Sequence, residues 1–286
     1  MSVQSTIEAA TGSLSPSLLR IANEIRENPA IVLDSTINEL AEACGTSVAS
    51  VVRFCRAIGL NGYTQLRMML ATELGKESAQ FGGSTSYGSD ITKGESMREM
   101  AQKIASLEIL AIEETINYLD YASLEQAVDA LDNAERILLY GIGASQVVAE
   151  DLQRKLFRIG RNAFAPTDPH EAWAAAALPV TGVVAVGFSH LGETHETLDF
   201  LRRARDNGAR TIGVTGAKGS TLSKLVDHAL FTEVRETKFR AGAMVSRIAQ
   251  LAVVDCIFAG VAQRRYDFTV EALRRTREVT QSARGS

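Results

Sequence analysis

A chain of 286 residues with 45% hydrophobic and 22% charged side chains has room for two ordinary soluble domains and is too apolar to be largely disordered. A formal charge of −4 and a pI near 5.7 give no overall basic signature, so any nucleic-acid role must rest on local charge. Cys44, Cys55 and Cys256 are far apart in apolar helical patterns, which excludes a disulfide framework and CxxC-type zinc. The histidines have no cysteine companion and no HExxH spacing, so neither a metal nor a cofactor is expected.

The N-terminus lacks the basic and apolar blocks of an export signal, which predicts a cytoplasmic protein. The apolar stretches Val180 to Phe188 and Ile248 to Ala262 are not read as membrane spans, the first being short and the second carrying Gln250 and Asp255.

In chain order, Pro16 opens a helix over Ser17 to Glu27, with Leu18, Ile21, Ala22 and Ile25 at helical spacing. A second helix begins near Ser35 or Thr36 and stops at Gly45. A third is capped by Thr46 or Ser47 and ends at Ile58 before Gly59. Residues 1–80 form the first expected domain. The Gly/Ser-rich run from Phe81 predicts a flexible linker over 81–95, and residues 96–286 form the second domain.

That second domain opens with helices at Ser96 to Tyr118 and Leu124 to Leu131. Strands are then predicted at Arg136 to Tyr140, Asn162 to Ala165, Gly182 to Phe188, Arg210 to Thr215 and His228 to Val234. Helices fall between them at Val147 to Arg158, Glu171 to Ala177, Glu196 to Asn207 and after Ser220, and two more follow at Ala243 to Gln263 and Asp267 to Thr280. Alternating apolar strands and helices predict an open, doubly wound, five-stranded parallel sheet of α/β type behind an all-α N-terminal domain.

Helix, glycine-containing turn and helix over Thr36 to Gly59 fit a helix-turn-helix that presents its second helix to the major groove. With Leu40, Ala41, Val51, Cys55 and Ile58 facing the core, Ser47, Ala49, Ser50, Arg53 and Arg56 fall on the opposite face. Small hydroxyls at a helix start suit phosphate or base contacts, and arginines suit guanine or phosphate. The competing reading is a plain helical bundle. Against it, no acid occurs between Glu42 and Glu73, a window with three arginines. Thr64, Gln65 and Arg67 could reach the DNA backbone.

Three strand-to-helix turns carry the ligand chemistry of the second domain. In Gly141-Ile142-Gly143-Ala144-Ser145-Gln146 the glycines permit close backbone approach, and Ser145 can donate to an anion at a helix N-terminus. Gln146 stands where a dinucleotide fingerprint has its third glycine, which argues against NAD. Ser189-His190-Leu191-Gly192-Glu193-Thr194 offers two hydroxyls and a glycine near a helix dipole. Thr215 to Thr221 adds hydroxyls and Lys218, but in the wrong order for a P-loop. Each turn alone also reads as simple turn-forming and capping chemistry.

Ile37 to Tyr63, above all Val51-Val52-Arg53-Phe54-Cys55-Arg56 before a glycine turn, resembles the DNA-binding domain of RpiR-type transcriptional regulators. Ser123 to Ala262 resembles the sugar isomerase (SIS) domain. Arg136 to Ser145 looks like its opening strand and loop, and Ser189 to Thr194 looks like its Ser-x-Ser-Gly-x-Thr phosphate loop with Leu191 in place of the second serine. Ser246 to Asp255 is also similar to the RpiR family. The resemblance implies phosphosugar contacts from Ser145, Ser189 and Thr194, with Gly143 and Gly192 letting the backbone approach, and no donor at Leu191.

The resulting expectation is a homodimer, or dimer of dimers, that binds double-stranded operator DNA under control of a phosphosugar effector, with no membrane association. The alternative is a SIS-type phosphosugar isomerase using Glu150, Glu193, His190 or His195 as acid and base. A helix-turn-helix has no purpose in such an enzyme, and each of the four side chains also reads as a solvated residue or cap.

Overall fold

The computed structural model describes residues 3–71, 94–179, 181–234 and 243–282, in two compact units that divide after Leu110. The first contains α1 (Val3–Ala10), a 3-10 turn (Thr11–Ser13), α2 (Pro16–Glu27), α3 (Ile31–Asp34), α4 (Ile37–Ala43), α5 (Val48–Ala57) and α6 (residues 63–71). It also holds the start of α7 (Met97–Tyr118). Its core is one cluster in which Ile7, Ile21, Ile25, Leu40, Val51, Phe54, Cys55 and Leu66 are fully buried. Of the expected linker, all but Gly94 and Glu95 lies outside the described residues.

The second unit takes up the remainder of α7, followed by α8 (Tyr121–Asn133), β1 (Arg136–Gly141), α9 (Ala144–Arg158), β2 (Ala163–Phe164), α10 (Pro169–Ala176) and β3 (Val183–Phe188). Next come α11 (His195–Asp206), β4 (Arg210–Thr215), α12 (Thr221–Leu225), β5 (His228–Phe231), α13 (Met244–Arg264) and α14 (Tyr266–Ser282). The strands form a five-stranded sheet in the order β2-β1-β3-β4-β5, every pair parallel. Alternation along each strand divides its side chains between two helix layers. Ile137, Leu139, Val184, Val186, Ile212 and Leu230 meet α8, α9 and α13, including Leu131, Leu152, Val253 and Ile257. Leu138, Tyr140 and Ala185 meet α10, α11 and α12 through Ala172, Phe200, Leu201 and Leu222. This is the doubly wound sheet expected from the sequence.

Among the described residues one helix, Met244–Arg264, is long and apolar enough to cross a membrane by length and composition. Its Val253, Val254, Ile257 and Val261 are buried in the core of the sheet unit.

The strand order positions the ligand loops. Sequence order reverses between β1 and β3, and at such a switch point the loops leaving two neighbouring strands part to opposite faces and open a crevice. The register pairs Gly141 with Phe188, and Phe188 with Val214, so the loops after β1, β3 and β4 leave the sheet level with one another.

Candidate functional site

The helix-turn-helix is held by local hydrogen bonds that its sequence dictates. Thr36 caps α4 in a reciprocal box: its amide donates to Glu39 Oε2 at 2.7 Å, and its Oγ1 accepts from the Glu39 amide at 3.3 Å. Ser47 caps α5 by accepting from the Ser50 amide at 3.2 Å. Arg20 of α2 clasps the turn, donating to the carbonyls of Cys44 (3.2 Å) and Gly45 (3.0 Å). The Tyr63 hydroxyl lies 2.7 Å from the Ser35 carbonyl and 3.1 Å from that of Val32, which ties α6 to the start of α4.

On α5, Ser47, Ala49, Arg53 and Arg56 are exposed on one side. Ser50 is not, and its expected place on that face is corrected: it is 4% exposed. The cause is Phe54, which the sequence reading left out of the core. Val51, Phe54, Cys55 and Ile58 make the inward stripe, and Ser50, one turn before Phe54, joins its edge. Its hydroxyl accepts from Arg53 Nη2 at 3.2 Å and so orients that guanidinium. Arg67 turns to its own domain, donating to the Leu33 carbonyl at 2.7 Å, and Gln65 Oε1 accepts from the Asn61 amide.

In the sheet unit, Gly143 caps α9 at φ 59, ψ −121, a conformation that a Cβ would oppose. The amides of Ser145 and Gln146 are already spent on the carbonyls of Ile142 and Gly143. The anion-binding capacity expected of this helix start therefore rests on the Ser145 hydroxyl more than on those two amides. That hydroxyl is buried and donates to Gln250 Oε1 of α13 at 3.3 Å.

The second loop is pre-formed. Ser189 Oγ lies 2.9 Å from Thr194 Oγ1 and accepts from the Gly192 amide at 3.1 Å. Gly192, at φ 69, lets the chain pass under Ser220. The third loop braces the second: Thr215 Oγ1 and the Gly216 amide donate to the His190 carbonyl at 3.0 and 2.9 Å, and the Leu222 amide donates to Gly192 O at 3.0 Å. Leu191 projects outward, 56% exposed.

Three of the four acid/base candidates have side-chain partners of their own. Glu193 caps α12, accepting from the Thr221 amide (2.8 Å) and hydroxyl (2.7 Å), and these bonds hold its carboxyl below the usual range. Glu150 accepts from Arg154 Nη2 at 3.2 Å. His195 is exposed, with Asp199 at 3.7 Å. His190 is fixed through its backbone carbonyl.

Sequence reasoning missed two buried polar groups here. Glu233, just beyond β5, is 4% exposed, with Oε2 at 3.8 Å from Lys218 Nζ and no hydrogen-bond partner at Oε1. Its backbone is pinned by Thr115 of α7, which exchanges two hydrogen bonds with the Glu233 amide (3.0 Å) and carbonyl (3.2 Å). Gln250 entered the sequence reading only as a polar break in an apolar run. The available signal was a lone glutamine on the inward face of that helix.

The family model of the SIS domain matches residues 130–260, and that of the helix-turn-helix domain of the rpiR family matches residues 1–77. An HTH-type transcriptional regulator of Caldanaerobacter subterraneus is 41% identical over 97% of this chain and 96% of its own length. The HTH-type transcriptional regulator YbbH of Bacillus subtilis is 34% identical over 97% of this chain and 96% of its own. Among solved structures, Vibrio vulnificus NanR complexed with ManNAc-6P is similar over 97% of both chains, with a TM-score of 0.61 and 26% identity. The sugar isomerase domain of an RpiR transcription factor from Sphaerobacter thermophilus shares the fold over 62% of this chain and 97% of its own, with a TM-score of 0.57 and 22% identity. Helix-turn-helix and doubly wound sheet together define a transcriptional regulator with a SIS domain. The chain belongs to the rpiR family of such regulators.

Proposed function

We propose that this regulator binds operator DNA as a homodimer in the cytoplasm and releases or engages it in response to a phosphosugar held at the C-terminal edge of its sheet. The observation that carries the ligand reading is the pairing of the Ser145 and Ser189–Thr194 loops at the switch point of the sheet, each at the start of a helix. The similarity to NanR, solved with ManNAc-6P, supports a phosphorylated amino sugar as the first candidate. Ser145, Ser189 and Thr194 are assigned to the phosphate, with the backbone at Gly143 and Gly192 near it. Glu233 is assigned to the sugar hydroxyls, because a buried carboxylate oxygen without a partner is an acceptor waiting for a donor.

The α5 face of Ser47, Ala49, Arg53 and Arg56 is assigned to the operator, with Ser50 acting through Arg53. Coupling of about 1–3 kcal/mol between the two sites would change operator affinity roughly five- to 150-fold.

The reading includes no turnover, since proton transfer between C1 and C2 of a sugar needs a positioned acid/base pair and three of the four expected side chains, Glu193, Glu150 and His195, are engaged by other protein groups. Thermal-shift screening against phosphosugars, followed by operator footprinting with the strongest stabiliser, tests it. Stabilisation by a phosphosugar with an altered footprint is expected. Ketose formation lost on Glu233→Gln would establish the enzyme instead.

A further inference from the structure

Ser145 and Gln250 form a pair for which phosphate binding alone gives no account. The Ser145 hydroxyl donates to Gln250 Oε1 at 3.3 Å, joining the first turn of α9 to the second turn of α13. Gln250 is 1% exposed, and its Nε2 has no hydrogen-bond partner. A buried donor left in this state destabilises a fold, so its presence calls for a role.

A serine hydroxyl carries a single proton. While Gln250 Oε1 accepts that proton, Ser145 turns only lone pairs toward the loop and has nothing to donate to a phosphate. Half a turn of the amide brings Nε2 against Ser145 Oγ instead. Nε2 then donates to Ser145, and the Ser145 proton is released toward the loop. Each orientation makes one Ser145–Gln250 bond and leaves the amide's other atom unpartnered, so the two lie close in energy. An anion facing Ser145 decides between them, because it interacts with one orientation far better than with the other.

We propose that Gln250 is a positioning residue of the phosphosugar site: its amide turns when a phosphate binds, so that Ser145 donates to the ligand. This rests on the phosphosugar reading above and adds to it a residue of α13 that senses occupancy without touching the ligand. Ligand binding is thereby registered in a helix that also packs on α8 and α9.

The test is a double-mutant cycle on the full chain, read by calorimetry with inorganic phosphate and with ManNAc-6P. Gln250→Glu and Gln250→Met are each made with Ser145 intact and with Ser145→Ala. A carboxylate accepts only and would hold the Ser145 proton permanently, whereas methionine neither donates nor accepts. Expected is a loss of about tenfold for Gln250→Glu beside Ser145, falling to about threefold or less beside Ala, the residue being charge repulsion. Gln250→Met removes the competing acceptor and leaves Ser145 free to donate, so affinity beside Ser145 should stay within about threefold of the parent, with nothing measurable beside Ala. Equal losses in both backgrounds, or unchanged affinity in both Gln250 variants, overturn the proposal. If the chain with Ser145 and Gln250 intact binds neither probe, the proposal falls, while the phosphosugar reading stands or falls separately with the wider thermal-shift screen.

Discussion

Gly192→Ala subjects the second ligand loop to two separable costs. At φ 69 the backbone is left-handed, a conformation that costs an L-residue roughly 1–2 kcal/mol. The new Cβ would also lie 2.2 Å from Ser220 Oγ, 2.5 Å from Ser220 Cβ and 3.1 Å from Thr215 Oγ1. Overpacking of this kind costs about 1–3 kcal/mol, which gives a total near 3 kcal/mol. Ser220→Gly removes the colliding group. It gives up the cap that Ser220 provides to the Ser223 amide, worth only about a few tenths when glycine replaces serine. The double variant should therefore keep the backbone strain and lose the collision, ending about 1–2 kcal/mol below the parent instead of the roughly 3.5 kcal/mol that additivity requires. Urea unfolding followed by the fluorescence of Trp173, the single tryptophan and a residue of α10, reports the sheet unit directly. Costs that add to within about 0.5 kcal/mol would refute the reasoning, because the loop would then have moved away from Ser220.

Arg53→Ala and Arg56→Ala should each weaken operator binding by about 1–3 kcal/mol if they make bidentate base contacts, and an unchanged footprint in the double variant would remove α5 from the interface. Ser189→Ala and Thr194→Ala should each cost about 1–3 kcal/mol in phosphosugar affinity by calorimetry, while Leu191→Ser, at an exposed position, should hold or improve it. Tyr140→Phe should stabilise the sheet unit by about 1 kcal/mol in the same urea assay, because the tyrosine hydroxyl is buried without a hydrogen-bond partner. Burial, with Glu196 and Asp168 adding, pushes the Tyr140 phenol up to about 12 from its usual 10. A raised folded pKa contributes stability below pH 10 that is lost as pH climbs toward 12, and the phenylalanine variant should lack that alkaline loss.

Much of the sheet unit was legible because β3 is a continuous apolar run and β1 is one after its first residue, the pattern of strands covered on both faces, with β4 carrying Ile212 and Val214 between threonines. The N-terminal elements were harder. In α1, Val3 and Ile7 are buried and Thr6 and Ala10 are half-buried, α3 is a single turn, and α6 follows Gly62 with no hydroxyl or carboxylate immediately before it. Their helicity comes from joining one buried cluster with α2, α4 and α5, through Val3, Ile7, Val32, Leu66 and Leu70, which a local window does not contain. Ser50 was misplaced by one omitted aromatic, since adding Phe54 to the stripe rotates the buried face toward it. Glu233 and Gln250 were missed for another reason. Each acquires its meaning from partners far along the chain, Thr115 in one case and Ser145 in the other.

The outer strands of the sheet, β2 with two residues and β5 with four, are shorter than the six-residue strands between them. An exposed strand edge is a template on which another chain can add, and its adhesive reach scales with the row of unpaired amides and carbonyls it presents. Here that row is nearly absent on one side and brief on the other. The molecule can therefore keep an almost wholly buried central sheet, the segment most prone to cross-β stacking if it were ever left open, at the concentrations of a living cell. Lengthening β2 by a few β-branched residues would leave the ligand loops untouched and still endanger the protein, through aggregation and not through loss of binding.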